Sequence, residues 1–322
     1  MYYIDKIAYW ADPNSVYKHT NTFLQFRKET LSLVEAECVV LTVGLLYGIE
    51  SENELTKFLL KYNDKHLIID GTFETIPGDS YQWIKKNAVN YTIYSNGINH
   101  IEKYIIQNNN LNIQPYFISN IDLYKPIEPE ISLYPKKKAF LYMVGKSKVH
   151  RIKLLKELFK ENLIKEGHIS YFLDDELNFD LDSKYKNSPK LLEYFEDKPK
   201  YMKLDIDSFS SEVSHTKYFN REFYDASDFV LVTEAFYGEP IFLTEKVGKC
   251  ILLDKKFILL GPINALATLK TYCLKYLNKD ISHLTDWVDT SYDSETNLDK
   301  KIDCIIEQVK IGVDIYNNNK KC

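Results

Sequence analysis

The residue types best suited to chemistry are concentrated in one stretch, 228–261, which reads DFVLVTEAFYGEPIFLTEKVGKCILLDKKFILLG. Glu234 ends an apolar run, and Thr244, Glu245 and Lys246 open a second apolar segment after a short loop. This pattern predicts a strand, a loop, a helix and a further strand. Because ligands of open α/β sheets bind where strands end and helices begin, we expect a binding site at this edge.

Lys246 gives this edge its most specific chemistry. Thr244 is a predicted N-cap, and the helix dipole by itself explains Glu245 in the first turn. The same dipole opposes the charge of Lys246, but a cation beside helix-start amides makes an anion site suited to phosphate. Glu234 keeps two interpretations: a ligand for hydroxyl or amide groups, or a carboxylate satisfied within the fold.

A second group of cations follows another predicted strand, 139–144. The loop after this strand contains Lys146, and the next helix is predicted to begin at about Arg151. Basic residues far outnumber acidic ones between 136 and 165. The inner cations are placed to meet a phosphate, whereas the outer lysines fit a solvated basic face equally well.

Glu74, in the segment IIDGTFETIPGD, follows the end of a predicted strand in the N-terminal half. A carboxylate facing a cleft there is a candidate general base, and a turn-stabilising acid is the alternative. Asp70 has a similar claim. The acids of 174–182 lack the spacing of an EF-hand loop, and nothing in the pattern requires a metal.

Alternating strand and helix patterns are the elements that must position these residues, and they predict an α/β fold with parallel sheets. At 322 residues the chain is long for one core, so two domains are expected. We assign residues 1–130 to the first domain and 131–297 to the second, with 125–138 as a proline-containing linker. The segment 217–227 is predicted to be helical, and 298–322 a long amphipathic C-terminal helix.

The composition is ordinary for a soluble globular protein, with 45% hydrophobic and 27% charged residues. A net charge of −5 gives no global support for nucleic-acid binding. The five cysteines form no CxxC pair, so neither a zinc site nor a disulfide framework is expected. No signal peptide is visible and no apolar run is long enough to span a bilayer, so we expect a cytoplasmic protein of the producing or infected cell.

The segment 232–261 resembles the donor-binding region of the α1,3-fucosyltransferase-like glycosyltransferases. In that family an acid after a strand is followed by Thr-Glu-Lys and by an apolar run ending in Leu-Gly, as at Glu234, 244–246 and 260–261. Three further segments are similar to family elements: the strand and arginine-led helix of 139–158, FETIP at 73–77, and WVDTSYDS at 287–294, the last in phage-encoded members.

This resemblance implies a GT-B architecture, in which two Rossmann-like domains with parallel sheets face a central cleft. It implies an inverting, metal-independent transfer from a nucleoside-diphosphate sugar, for which a GDP-sugar is one candidate, with no separate cofactor. Glu245 would hold the ribose, Lys246 and Arg151 the diphosphate, and Glu74 would deprotonate the acceptor. Lys146, Glu234 and Thr244 are further candidate donor-site residues.

Several choices stay open at this stage. Ala235 and 242–243 depart from the family pattern, so fucose is not assumed as the sugar. The acceptor is a glycan, a protein, a small molecule or modified DNA, and the negative net charge argues against DNA. The alternatives are a catalytically inactive GT-B-like protein that binds a nucleotide sugar or a partner, and another phosphate-handling enzyme on a doubly wound scaffold. The C-terminal helix is expected to pack back on the first domain.

Overall fold

The computed structural model describes part of the chain and divides it into two compact units. The described residues are 2–4, 38–42, 51–62, 64–71, 83–84, 86, 91–95, 112–115, 125–127, 136–144, 148–172, 194–195, 201–202, 218–234, 237–238, 241 and 243–320. The first unit comprises 1–123 with 239–244, and the second comprises 124–238 with 245–322. Each unit is described separately below.

The first unit contains a five-stranded sheet in which every neighbouring pair of strands is parallel. Its strands follow the chain in the order β1 (Tyr2–Ile4), β2 (Cys38–Thr42), β3 (His66–Gly71), β4 (Tyr91–Ser95) and β5 (Asn112–Pro115). Helix α1 (Glu52–Leu60) connects β2 to β3 and buries Leu55 and Leu59. A helix between two parallel strands is the usual crossover of this class.

The second unit contains a sheet with the order β12-β11-β7-β8-β9. Its strands are β7 (Lys138–Val144), β8 (Gly167–Phe172), β9 (Tyr201–Met202), β11 (Ser227–Thr233) and β12 (Lys256–Leu260). The first four strands in that order are parallel, and β9 pairs antiparallel with β8 at the edge. Two short strands, β6 (Lys125–Ile127) and β10 (Tyr218–Asn220), form a separate parallel pair. This arrangement is consistent with a Rossmann-like fold.

Helices cover the sheet of the second unit. They are α2 (Val149–Lys160), α3 (Arg221–Asp225), α4 (Glu245–Leu252), α5 (Ala265–Leu277), α6 (Ser282–Thr285) and α7 (Leu298–Asn319). Phe140, Phe229 and Ile258 point to the core shared with α2 and α7, while the alternate residues Leu141 and Leu259 are buried as well. Both faces are therefore apolar, as expected of parallel strands that are covered on each side.

The C-terminal helix α7 belongs to the core of the second unit. Its apolar residues Ile302, Ile305 and Val309 join the cluster formed by the sheet and α2. Gly312 permits a close approach, because a Cβ there would lie 2.6 Å from Cε1 of Phe229. The expectation that this helix also packs on the first domain stays a prediction.

The predicted strands and helices around the candidate site are confirmed, with shifted boundaries. The strand predicted at 139–144 spans Lys138–Val144, and the helix predicted from Arg151 begins at Val149. The predicted linker 125–138 begins with β6 and ends at the first residue of β7, and its role as a linker stays a prediction. The segment 217–227, predicted to be helical, contains the helix α3, but β10 precedes this helix and β11 begins directly after it at Ser227.

Candidate functional site

Three strand–helix junctions meet at one edge of the second unit's sheet. Strands β7, β11 and β12 are parallel neighbours, with Leu231 aligned to Tyr142 and Thr233 aligned to Leu260. The helices that follow them along the chain, α2, α4 and α5, therefore begin on the side where these strands end. Because the first amides of a helix have no partner within the helix and carry a partial positive charge, helix starts at such an edge favour an anion.

Glu234 continues β11 by one residue and is completely buried, at 0% exposure. Its backbone N–H donates to the Leu260 carbonyl at 3.1 Å, which extends the pairing with β12. Its own carbonyl oxygen accepts two hydrogen bonds from α2. The structure therefore gives Glu234 a scaffold role through its backbone. Both interpretations of its carboxylate stay predictions.

Arg151 provides one of the two bonds to that carbonyl. Its guanidinium Nη2 donates to the Glu234 oxygen at 2.9 Å, and the residue is only 4% exposed. The Tyr142 hydroxyl donates to the Arg151 carbonyl at 3.2 Å, so that β7 also holds this turn of α2. A guanidinium has five N–H donors, and one of them binds the protein's own backbone here.

His150 provides the second bond and is the residue that sequence reasoning missed. Its Nε2 lies 2.9 Å from the Glu234 carbonyl oxygen, and the ring is 5% exposed. Because a carbonyl oxygen only accepts, Nε2 carries the proton and donates. The ring also stacks on Tyr237, with centroids 5.6 Å apart and planes inclined by 28°.

The electrostatics around His150 show where the cations lie. Burial, together with the charges of Arg151, Lys148 and Lys246, lowers the pKa of His150 to about 3, although the bond to Glu234 acts in the opposite direction. The imidazole is therefore neutral at physiological pH, while three positive charges from α2, its N-cap position and the first turn of α4 act on the same ring. No acidic residue lies in the first turn of α2.

At the third junction, between β12 and α5, a carboxylate of the protein itself binds the helix start. Asp293 accepts from the amides of Leu266 at 3.1 Å and Ala267 at 2.9 Å, which caps α5. Lys301, fully buried on α7, donates from Nζ to the carbonyls of Pro262 at 3.2 Å and Asp293 at 3.1 Å. The start of α5 thus has an internal anion, so these amides are not available to an external one.

The WVDTSYDS segment, 287–294, proves to hold this edge together. Besides the cap from Asp293, the Tyr292 hydroxyl accepts from the Leu259 amide at 3.2 Å within β12. The Trp287 ring packs on Phe229 of β11, with centroids 5.0 Å apart. These contacts explain why a motif-like cluster of polar and aromatic residues occurs here.

The remaining site residues predicted from sequence are placed only in part. Lys246 is partly buried in the first turn of α4, and Thr244 is buried and stands immediately before this helix, where an N-cap belongs. Glu245 is the first residue of α4, but its side chain is outside the described part of the structure. Glu74 and Lys146 also lie outside the described residues, so their roles stay predictions.

The described edge is suited to holding a multiply charged anion. It combines Arg151, Lys148 and Lys246 with two helix starts, an arrangement that binds phosphates in many α/β proteins. Within the described ranges, no group of three or more His, Cys, Asp and Glu side chains is arranged to hold a metal ion. A separate groove between α2 and α7 is lined by Glu157, Glu161, Asp303 and Glu307, whose charges would repel a phosphate.

No protein-family model matches the chain, and no match was found among curated proteins. Among the residues that the structure describes, no helix has the length and apolar character needed to cross a membrane. The function is therefore inferred from the site itself.

Proposed function

We propose that the protein is a glycosyltransferase that moves a sugar from a nucleoside-diphosphate sugar to an acceptor hydroxyl. One observation carries the proposal: cations stand at the starts of two helices on the same edge of the sheet, with Lys148 and Arg151 at the start of α2 and Lys246 in the first turn of α4. A diphosphate carries enough negative charge to be held by several such cations. A GDP-sugar is one candidate donor.

The chemistry of transfer explains why fixed cations would be needed. Cleavage of the bond between the sugar and the diphosphate builds negative charge on the leaving diphosphate. Lys246 and Arg151 stabilise that charge, because preorganised cations in a partly buried site attract a negative charge more strongly than cations in water do. Glu245, at the first position of α4, holds the ribose of the donor.

The two units correspond in this proposal to the two domains of a GT-B enzyme. The second unit binds the donor, and the first supplies the acceptor side with Glu74 as the base that deprotonates the acceptor hydroxyl. Support comes from the parallel α/β sheet in each unit. The reaction inverts the anomeric centre and uses no metal, and the acceptor is a glycan, a protein, a small molecule or modified DNA.

A thermal-shift screen against GDP-, UDP-, ADP- and CMP-sugars tests the proposal. A donor present at about 100 times its Kd adds about 2.7 kcal/mol to the free energy of unfolding, which raises the unfolding midpoint by several degrees. One nucleotide class is expected to stabilise the protein and the others to do so less. If none of the four moves the midpoint, the proposed donor site is wrong.

A further inference from the structure

His150 connects two elements of the candidate donor site. It lies on α2 next to Arg151, and both side chains donate at 2.9 Å to the same carbonyl oxygen, that of Glu234. Because the two bonds end on one atom, the chain that leaves β11 and the guanidinium of Arg151 are fixed together. That chain leads on to α4 and Lys246.

A second contact fixes the same stretch of chain. The His150 ring stacks on Tyr237, and the Tyr237 ring also lies 5.8 Å from the Nζ of Lys301 on α7. Lys301 itself is held by the carbonyls of Pro262 and Asp293. The chain after β11 is therefore anchored to α2 through Nε2 and the ring face of one imidazole and, through Tyr237, to the C-terminal helix.

We propose that His150 is a positioning residue of the donor site: its imidazole holds the end of β11 and Tyr237 against α2 and so fixes Arg151 at this edge of the sheet. This inference rests on the proposed function, because a diphosphate is held well only by cations at a fixed separation. In this proposal His150 acts through Arg151 and the chain after β11, and it makes no contact with the ligand.

A neutral imidazole fits this position better than the other common donors. A lysine or arginine would add a further positive charge beside Arg151, Lys148 and Lys246, where like charges repel at short range. Burial and these neighbours keep the pKa of His150 far below its usual value, so that the ring donates one hydrogen bond without adding charge. It also stacks its aromatic ring on Tyr237.

The test compares three substitutions at position 150 in the full-length protein, with inorganic pyrophosphate as the probe in isothermal titration calorimetry. His150→Gln keeps an N–H donor at nearly the same distance from the backbone and should bind within about threefold of the wild type. His150→Phe keeps the ring but removes the donor, and His150→Asn carries a shorter amide; both should weaken binding by about tenfold or more. His283→Phe, the same substitution at an exposed histidine of α6, should bind like the wild type.

The outcomes separate this inference from the function on which it rests. If the wild type binds neither pyrophosphate nor any nucleotide sugar, both are overturned. If the wild type binds pyrophosphate and the Phe and Asn variants bind it equally well, only the positioning role is overturned. Should His150→Phe fail to fold, the Gln and Asn pair decides, because equal binding by these two variants overturns the role of the Nε2 donor.

Discussion

At the scale of single residues, Lys246 is the cation whose position the sequence predicted most sharply. Replacing Lys246 with alanine removes a charge-assisted contact worth about 1.5–3 kcal/mol, so we expect the Kd for the nucleotide sugar to rise by roughly tenfold to a hundredfold. Calorimetry on the folded variant measures this change. Lys275→Ala, which removes the same charge from the last turn of α5, is the control and should bind like the wild type. Equal binding by both variants would show that Lys246 does not contact the donor.

His150 makes the stability of the protein depend on pH. Its pKa is about 3 in the folded chain, against an ordinary value of 6.5. Between these two values the imidazole is protonated in the unfolded state and neutral in the folded state. The stability is therefore complete above about pH 6.5 and is lost as the pH falls, by up to about 1.4 kcal/mol per pH unit. Denaturant unfolding between pH 7 and 5 should show a shallower slope for His150→Phe than for the wild type. Parallel slopes would show that the imidazole is not buried in its neutral form.

The contrast between these residues shows what sequence could predict at this scale. Lys246 and Arg151 were predicted because a cation at the start of a helix after an apolar strand is a local pattern. His150 carries no such pattern, although it directly precedes Arg151. Its role depends on the Glu234 carbonyl, 84 residues along the chain, which only the folded sheet brings within reach.

At the scale of elements, Asp293 and Lys301 join the start of α5 to α7. We expect Asp293→Ala to lower the free energy of unfolding by about 3–5 kcal/mol, because it removes a helix cap and leaves a buried ammonium without its nearby carboxylate. Denaturant unfolding measures this loss.

The double variant with Lys301→Met should recover part of this loss of stability, because no buried charge then remains. An exposed acid of the same segment, replaced in Asp289→Ala, should cost about 1 kcal/mol or less. If the double variant is no more stable than Asp293→Ala, the charge pair does not contribute as described.

Elements with strong periodicity were the predictable part of the fold. The helix α7 was predicted from the spacing of Ile302, Ile305 and Val309, and β7 and β11 were predicted from their apolar runs. The strands β6 and β10, within 125–138 and 217–227, were not predicted, because they are short and pair only with each other among the described strands. A strand of three residues leaves almost no periodic signal in a sequence.

At the scale of the whole molecule, the proposed reaction needs residues from both units. If the first unit supplies the base, Glu74→Gln should leave donor affinity unchanged, since the donor's cations belong to the second unit, and should abolish transfer. Calorimetry with the donor and an assay of nucleoside diphosphate release test the two halves of this prediction. Glu54→Gln, an exposed acid on α1, should affect neither. Wild-type turnover in Glu74→Gln would exclude this residue as the base.

The class of the molecule was accessible from sequence, because alternating strand and helix patterns predict parallel sheets and the strands show them. The assignment of residues 239–244 to the first unit could not be predicted from the sequence. These residues directly follow the loop after β11, so local order would place them in the second unit.

The most direct test of the central claim is the product formed from a bound donor. Purified protein is incubated with the nucleotide sugar that stabilises it, with water or a simple sugar as the acceptor, and the nucleotide products are separated. We predict slow release of the nucleoside diphosphate, and loss of this release in Lys246→Ala but not in Lys275→Ala. Release of the nucleoside monophosphate, or a donor that stays intact at saturating binding, would contradict it.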